Sequence, residues 1–356
     1  MNQKIYILLP SPKPTGPIKG AYALANKLSD RFNVNIFFLK KGQVVNSPLS
    51  SKIKISYLDK NIFGLLGKAI YFRSYLSSRK EKIITISFCF SADLVNAFAS
   101  KFCFSIISIR GNLVKNYFYD YGIFGISLAL LHYLLIMFVD QVIAMTEEMR
   151  NQIRYFSRKD PIIIPNFVDE KFLEKYRLVT IKKEIFNICF VGELSKRKQP
   201  LLLIKTFLKM NLRNASLHIV GDGPLFKKIK KFKEKYDKKN KIILYGQLQN
   251  PYEIIAFSDL FILPSLAEGI ARASLESLFL GTPCILRAVD GNEKLFNENK
   301  KTGTTFKEDF ELESKISKIM SSNHVKKSIS SLLPSEYSQS KCSNKIIELI
   351  DSHNSK

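Results

Sequence analysis

The chain has no paired-cysteine motif, no complete dinucleotide fingerprint, no Asp-x-Asp and only four histidines. Its five cysteines, Cys89, Cys103, Cys189, Cys284 and Cys342, form no C-x-x-C and leave an odd one out. Four sit in apolar surroundings such as Phe88-Cys89-Phe90 and Ile188-Cys189-Phe190. They read as buried, reduced residues in a reducing compartment. No G-x-G-x-x-G follows the first expected strand, and no acidic residue follows the second, so an NAD-dependent oxidoreductase lacks both of its usual marks. The absence of Asp-x-Asp argues against a diphosphate held through a metal ion. The apolar run Lys4 to Leu9 is too short for a secretory signal and meets Pro10 at once, so no signal is expected. The longest apolar stretch, Gly122 to Val139, contains His132 and only reaches the lower limit of a membrane span. A buried or surface-lying helix is expected there, with peripheral membrane attachment left open.

What is present is a composition of soluble, globular type. The 356 residues predict two domains, each large enough for its own core. The net charge of +24 is divided evenly between residues 1–175 and 176–356. Such charge favours anionic partners: a membrane surface, a phosphate-bearing lipid or nucleic acid. A lysine-rich genome also produces such charge, as the lesser alternative. The densest run, Lys227 to Lys241, holds nine lysines against Glu234 and Asp237. Leu225, Phe226, Ile229 and Phe232 recur there at helical spacing, which predicts a core-packing helix with a solvated basic face.

Residues 4–9 form a buried strand pattern, residues 10–17 a proline-rich rigid loop, Ala21 to Phe32 an amphipathic helix, and Val34 to Leu39 the next strand. This βαβ unit predicts a parallel sheet. Further strands are expected at 53–58, 83–88 and 140–146, with a helix from Ile62 to Tyr75 rich in Phe, Tyr and Lys. The strand at 106–109 ends in Arg110-Gly111-Asn112. That places a cation and an amide at the carboxyl edge of the sheet, where ligands bind; Gly111 and Asn112 also read as a plain turn. A second run of strands opens at 186–191 and continues at 216–220, 242–245, 259–263 and 284–286.

The chain is organised around Ser265 to Glu276. An apolar strand, Leu260 to Leu263, leads through Pro264 into a polar loop, and a helical pattern then runs to Gly281-Thr282-Pro283. Strand, loop and helix start together present backbone N–H groups and a positive dipole end to an anion. Glu268 and Glu276 bracket the helix start, roughly 12 Å apart at about 1.5 Å per helical residue. A carboxylate at each end with N–H groups between suits a sugar nucleotide, whose sugar and ribose hydroxyls flank a diphosphate. Two exposed glutamates at an ordinary helix N-terminus are the competing reading.

With its flanks, Leu263-Pro264-Ser265 and Leu280-Gly281-Thr282-Pro283, this stretch resembles the E-x7-E signature of the retaining, GT-B-fold glycosyltransferases of family 4. Gly16 to Leu28 resembles that family's first glycine loop and helix, and Ile162 to Asp169 its interdomain linker. Gly192 to Lys198 resembles its phosphate loop, and Gly221-Asp222-Gly223-Pro224 its tight turn. The resemblance covers residues 4 to about 310. It departs from the family at Thr15 (a second glycine), Phe167 (the linker glycine) and Glu193 (an arginine), and no histidine ends the 106–109 strand.

The resemblance implies an α/β protein of GT-B architecture, two Rossmann-like domains whose parallel sheets face each other across a cleft. Residues 1–168 are then the acceptor side, 169–335 the nucleotide-sugar domain, and 336–356 a helix returning to the first domain. By resemblance, Glu268 contacts the donor sugar and supports its developing positive charge, and Glu276 takes the ribose hydroxyls. Lys198 and the N–H groups of Gly269, Ile270 and Ala271 hold the leaving diphosphate, with Arg272 adding charge and Lys196 or Arg197 compensating for Glu193. Gly16 and Gly221 bring backbone close to the donor, and Leu248 lies in the loop that holds the base. Arg110 stands in for the missing histidine and Asn112 is placed on the acceptor side. The implied reaction uses a UDP- or GDP-sugar and a saccharide or polyprenyl-diphosphate-linked acceptor, with no metal or other cofactor and no nucleic acid. The implied location is the cytoplasm at the inner face of the cytoplasmic membrane, in contact with anionic lipid. An inverting GT-B transferase, a GT-B epimerase and a basic nucleic-acid-binding protein remain alternatives.

Overall fold

The structure, a computed structural model, describes residues 3–13, 15–42, 49–58, 64–177, 184–296, 302–321 and 330–355. Pro14 of the expected rigid loop, Ile62 and Phe63 of an expected helix, and residues 322–329 of the polar C-terminal region lie outside them. The chain divides into two compact units, Met1–Asp169 with Glu336–Lys356, and Glu170–Ser335.

The first unit runs β1 (Lys4–Leu9), α1 (Gly16–Leu28), β2 (Asn33–Phe38), β3 (Lys54–Tyr57), α2 (Gly64–Ser77), β4 (Ile83–Ser87), α3 (Phe90–Ala99), β5 (Phe104–Ser108), α4 (Leu113–Tyr121), α5 (Phe124–Ile136), β6 (Gln141–Ala144), α6 (Glu147–Ser157) and β7 (Ile162–Ile163). Its seven strands are all parallel in the order β3-β2-β1-β4-β5-β6-β7. Continuous apolar runs suit such strands because helices cover both faces. Along β1, Ile5, Ile7 and Leu9 pack with α1, whereas Tyr6 and Leu8 pack with α2 and α3. The order reverses between β1 and β4, which makes their carboxyl ends the switch point.

Helix α1 begins at Gly16, five residues before the expected Ala21, and ends at Leu28 instead of Phe32. Pro17 sits in its first turn, where a missing N–H costs nothing and the fixed φ suits a helix. Ser29 takes the position after its last residue, its hydroxyl donating to the Asn26 carbonyl at 2.8 Å. Helix α5 occupies the long apolar stretch and lies at the surface, with Ala129, His132, Tyr133 and Ile136 turned inward.

The second unit runs α7 (Glu170–Leu173), β8 (Phe186–Val191), α8 (Pro200–Met210), β9 (Ala215–Val220), α9 (Phe226–Tyr236), β10 (Ile242–Gly246), α10 (Tyr252–Phe257), β11 (Leu260–Leu263), α11 (Arg272–Phe279), β12 (Cys284–Arg287), β13 (Gly303–Phe306) and α12 (Glu311–Ser321). Its six strands are parallel in the order β10-β9-β8-β11-β12-β13. The switch point falls between β8 and β11. The lysine-rich segment is helical only as far as Tyr236, and of its apolar residues Ile229 is buried while Leu225, Phe226 and Phe232 are partly so.

The final helix, α13 (Gln339–Asn354), belongs to the first unit. Ser338 caps it by accepting from the Lys341 N–H, and Cys342, Ile346 and Ile350 enter the same core as α1 and β1. Gln339 donates to the Ala23 carbonyl at 2.9 Å, Arg31 pairs with Asp351 at 2.7 Å, and His353 stacks on Phe104.

None of the five cysteines forms a disulfide. Cys189, Cys284 and Cys342 are buried as expected, while Cys89 and Cys103 are partly exposed because each sits in a connection beside a strand.

Candidate functional site

In the second unit the loops leaving β8, β9 and β10 are stitched together by backbone hydrogen bonds. Gly192 donates to the Val220 carbonyl, Gly221 to Gly246, Leu194 to Asp222 and Leu225 to Leu194. Gly221 has φ +144°, and a Cβ there would lie 1.8 Å from the Gly192 carbonyl oxygen. Only glycine allows two loops to approach that closely.

The loop after β11 meets the loop after β8. Leu266 donates its N–H to the Arg197 carbonyl at 2.8 Å, and the Arg197 guanidinium donates to the Ala267 carbonyl at 3.1 Å. These bonds bring Lys198 against Glu268, whose carboxylate it pairs with, while Arg197 stands 3.6 Å from the same oxygen. Burial opposes ionisation of Glu268, but Lys198 and then Arg197 outweigh it and hold the carboxyl below its usual range. Burial pulls the Lys198 ammonium below its ordinary value, with Glu268 offsetting part of that shift. The Glu268 N–H donates to the Asp290 carboxylate at 3.3 Å, and Gly291 donates to the Gly269 carbonyl at 3.1 Å. Sequence reasoning placed Asp290 only in a polar loop; its φ of +45° and its reach to Glu268 needed the fold.

Ala271 is the N-cap of α11, so Gly269, Ile270 and Ala271 precede the helix and its first turn starts at Arg272. The first N–H groups of such a turn have no intrahelical partner. Arg272 and Glu276, both buried, pair at 3.1 Å one turn apart. Glu276 is therefore an interior carboxylate, which removes the reading of two exposed glutamates. Glu193 is exposed, its carbonyl accepting from the Ser195 N–H, and the Ser195 hydroxyl is buried with no partner among the described residues. Leu248, in the loop after β10, is partly exposed. The fold thus gathers Glu193, Lys198, Gly221, Glu268, Arg272 and Glu276 at the carboxyl edge of one sheet, beside its switch point.

Gly16, Arg110 and Asn112 belong to the first unit. Gly16 opens α1, and a Cβ there would meet nothing within 4 Å. The Arg110 guanidinium lies 4.9 Å from the Phe88 ring centroid. Asn112 caps α4, its side-chain oxygen accepting from the Lys115 N–H at 3.0 Å.

Two doubly wound parallel sheets of this kind match the fold of solved GT-B glycosyltransferases. Over 98% of this chain and 100% of the other, the structure matches Anabaena Alr3699/HepE in complex with UDP and glucose, at a TM-score of 0.78 and 17% identity. Residues 174–331, within the second unit, match the family described as Glycosyl transferases group 1. Two curated relatives are similar in sequence. One, from Escherichia coli, is a UDP-Gal:alpha-D-GlcNAc-diphosphoundecaprenol alpha-1,3-galactosyltransferase, 35% identical over 146 residues, 37% of this chain and 38% of that protein. The other, from Methanocaldococcus jannaschii, is an uncharacterized glycosyltransferase, 28% identical over 194 residues, 51% of this chain and 47% of that protein. The chain spans less than half the length of each.

Proposed function

We propose that the protein is a retaining glycosyltransferase that moves a sugar from a UDP- or GDP-sugar to a saccharide carried on a polyprenyl diphosphate. This reaction belongs to cell-surface polysaccharide assembly, of the lipopolysaccharide or capsule kind, at the inner face of the cytoplasmic membrane. The observation that carries the reading is the buried Lys198–Glu268 pair beside the start of α11, with Glu276 in the next turn. An anionic diphosphate at this helix start meets the orphan N–H groups and the dipole, and it draws Lys198 and Arg197 from Glu268. Glu268 is then released to the donor sugar, where its charge supports an oxocarbenium-like transition state. Glu276, held by Arg272, takes the ribose hydroxyls.

On this reading no metal holds the diphosphate, because the cations come from the protein. The departing phosphate assists same-face attack, so no separate base is required. The lipid-linked acceptor is supported by the Escherichia coli relative, whose name specifies a diphosphoundecaprenol substrate.

A thermal-shift and calorimetric screen against UDP- and GDP-sugars without added metal tests the proposal. One sugar nucleotide should stabilise the protein, with binding lost in Glu276→Ala and weakened in Lys198→Ala. Stabilisation by DNA alone, or by no sugar nucleotide, would overturn it.

A further inference from the structure

Helix α5 carries apolar side chains on all sides, yet only one side is covered. Ala129, His132, Tyr133 and Ile136 face the core. Ile123 is 73% exposed, Phe124 82%, Leu130 50%, Leu134 49% and Phe138 62%. Leu130 and Leu134 stand one turn apart on one side of the helix, and Ile123, Phe124 and Phe138 flank that side at its two ends. The helix cannot roll to hide it. His132 is held from both sides, at 3.0 Å by Asp93 and at 2.9 Å by the Tyr117 hydroxyl. Gly125 anchors the other end, since a Cβ there would lie 2.0 Å from the Tyr117 carbonyl oxygen.

We infer that this stripe docks the protein on an anionic lipid bilayer, with the α4–α5 corner inserted into the headgroup and acyl boundary. No charged residue occurs between Tyr121 and Val139, which is what an acyl boundary requires. Aromatic rings border the stripe: Tyr119 and Tyr121 on α4, and Tyr155 and Phe156 on α6, all exposed. Such rings favour the depth where hydrocarbon meets headgroups. Phe156 stacks on Tyr133 of α5, with centroids 4.7 Å apart, so the end of α6 lies alongside. That end carries two exposed cations for lipid phosphates, Arg158 and Arg154, the latter 3.5 Å from Asp160. Thirteen residues are too few to span, and among the described residues no helix is long and apolar enough to cross a membrane. A second copy of the chain is a poor occupant, because each copy brings a charge of +24.

This inference deepens the membrane side of the proposed function, and its test needs no nucleotide sugar, so the two fail separately. The chain contains no tryptophan, so Phe124→Trp gives a single reporter on the stripe and Tyr236→Trp a control in the second unit. Vesicles of phosphatidylcholine with phosphatidylglycerol should shift the Phe124→Trp emission to the blue and allow quenching by brominated acyl chains. The Tyr236→Trp control should show neither. Leu130→Glu combined with Leu134→Glu, which alters only exposed positions, should weaken vesicle co-sedimentation about tenfold or more. Far-UV dichroism and the thermal midpoint check that this variant folds. Unchanged co-sedimentation by the folded variant would overturn the inference. So would a lipid-free dimer that the same variant dissociates, with no blue shift on vesicles.

Discussion

Lys198 and Glu268 stand seventy residues apart in sequence and form a buried ion pair between the loops leaving β8 and β11. Removing one member of such a pair leaves an uncompensated charge, at about 3–5 kcal/mol. Glu268→Ala should therefore destabilise strongly, and Lys198→Ala less, because Arg197 remains 3.6 Å from the carboxylate. Lys198→Met combined with Glu268→Leu should recover most of the stability and none of the affinity for sugar nucleotides. Denaturant unfolding and calorimetry on the four proteins read both effects. Normal donor binding by the double variant would remove the pair from the site.

The same pair predicts an acid response. Glu268 titrates below its unfolded value of about 4.3, so its contribution is complete above that value and is lost as the pH falls through the folded pKa. Unfolding free energy should fall on acidification below about pH 4.3, and Glu268→Gln should flatten that part of the profile. An unchanged slope in the variant would assign the acid response to other carboxylates.

Gly221 and Gly16 should behave oppositely. Gly221→Ala forces a Cβ into the Gly192 carbonyl at an unfavourable φ and should cost about 2–4 kcal/mol. Gly16→Ala has open space at the start of a helix and should change stability by less than about 0.5 kcal/mol. Thermal melts separate the two. Weaker sugar-nucleotide binding by a fully stable Gly16→Ala would support a close backbone approach at that position.

The thiols should be unreactive in the folded protein. Burial pushes Cys89 and Cys103 up to about 12, and Cys189, Cys284 and Cys342 are buried. Since the thiolate is the nucleophile, iodoacetamide at pH near 8 should label the native chain slowly and the denatured chain at all five positions. Mass spectrometry counts the adducts, and rapid native labelling at Cys89 would contradict its raised thiol pKa.

Helix α13 should be part of the first unit's stability. Ile346 and Ile350 are fully buried, so Ile346→Ala should cost about 2–5 kcal/mol. Arg31→Ala, which breaks the exposed pair with Asp351, should cost under about 1 kcal/mol. Denaturant midpoints compare the two, and equal effects would place the helix outside the core.

Much of the architecture was legible locally. Apolar runs such as Ile5 to Leu9 and Leu260 to Leu263 mark buried parallel strands, and the Pro264 to Glu276 stretch marks a phosphate-type helix start. Helix boundaries were less legible. Pro17 reads as a loop residue until its place in the first turn of α1 is known. Ala271 proved to be a cap, with the helix beginning one residue later. Asn112 read as a possible site residue, and the structure uses its side chain to cap α4.

By itself, the sequence determined most of the strands and several helices, that the sheets are parallel, and which residue types stand at their carboxyl ends, but not α3 or α4. Those properties follow from hydrophobic period, turn chemistry and backbone hydrogen bonding over a few residues. Only the tertiary structure decided that Glu268 meets Lys198, that Asp290 holds the Glu268 N–H, and that α5 keeps one apolar side uncovered. Such contacts depend on strand order and on which helix face finds a partner. Residues far apart in the chain settle those choices together, through the burial and charge pairing that only the folded arrangement provides.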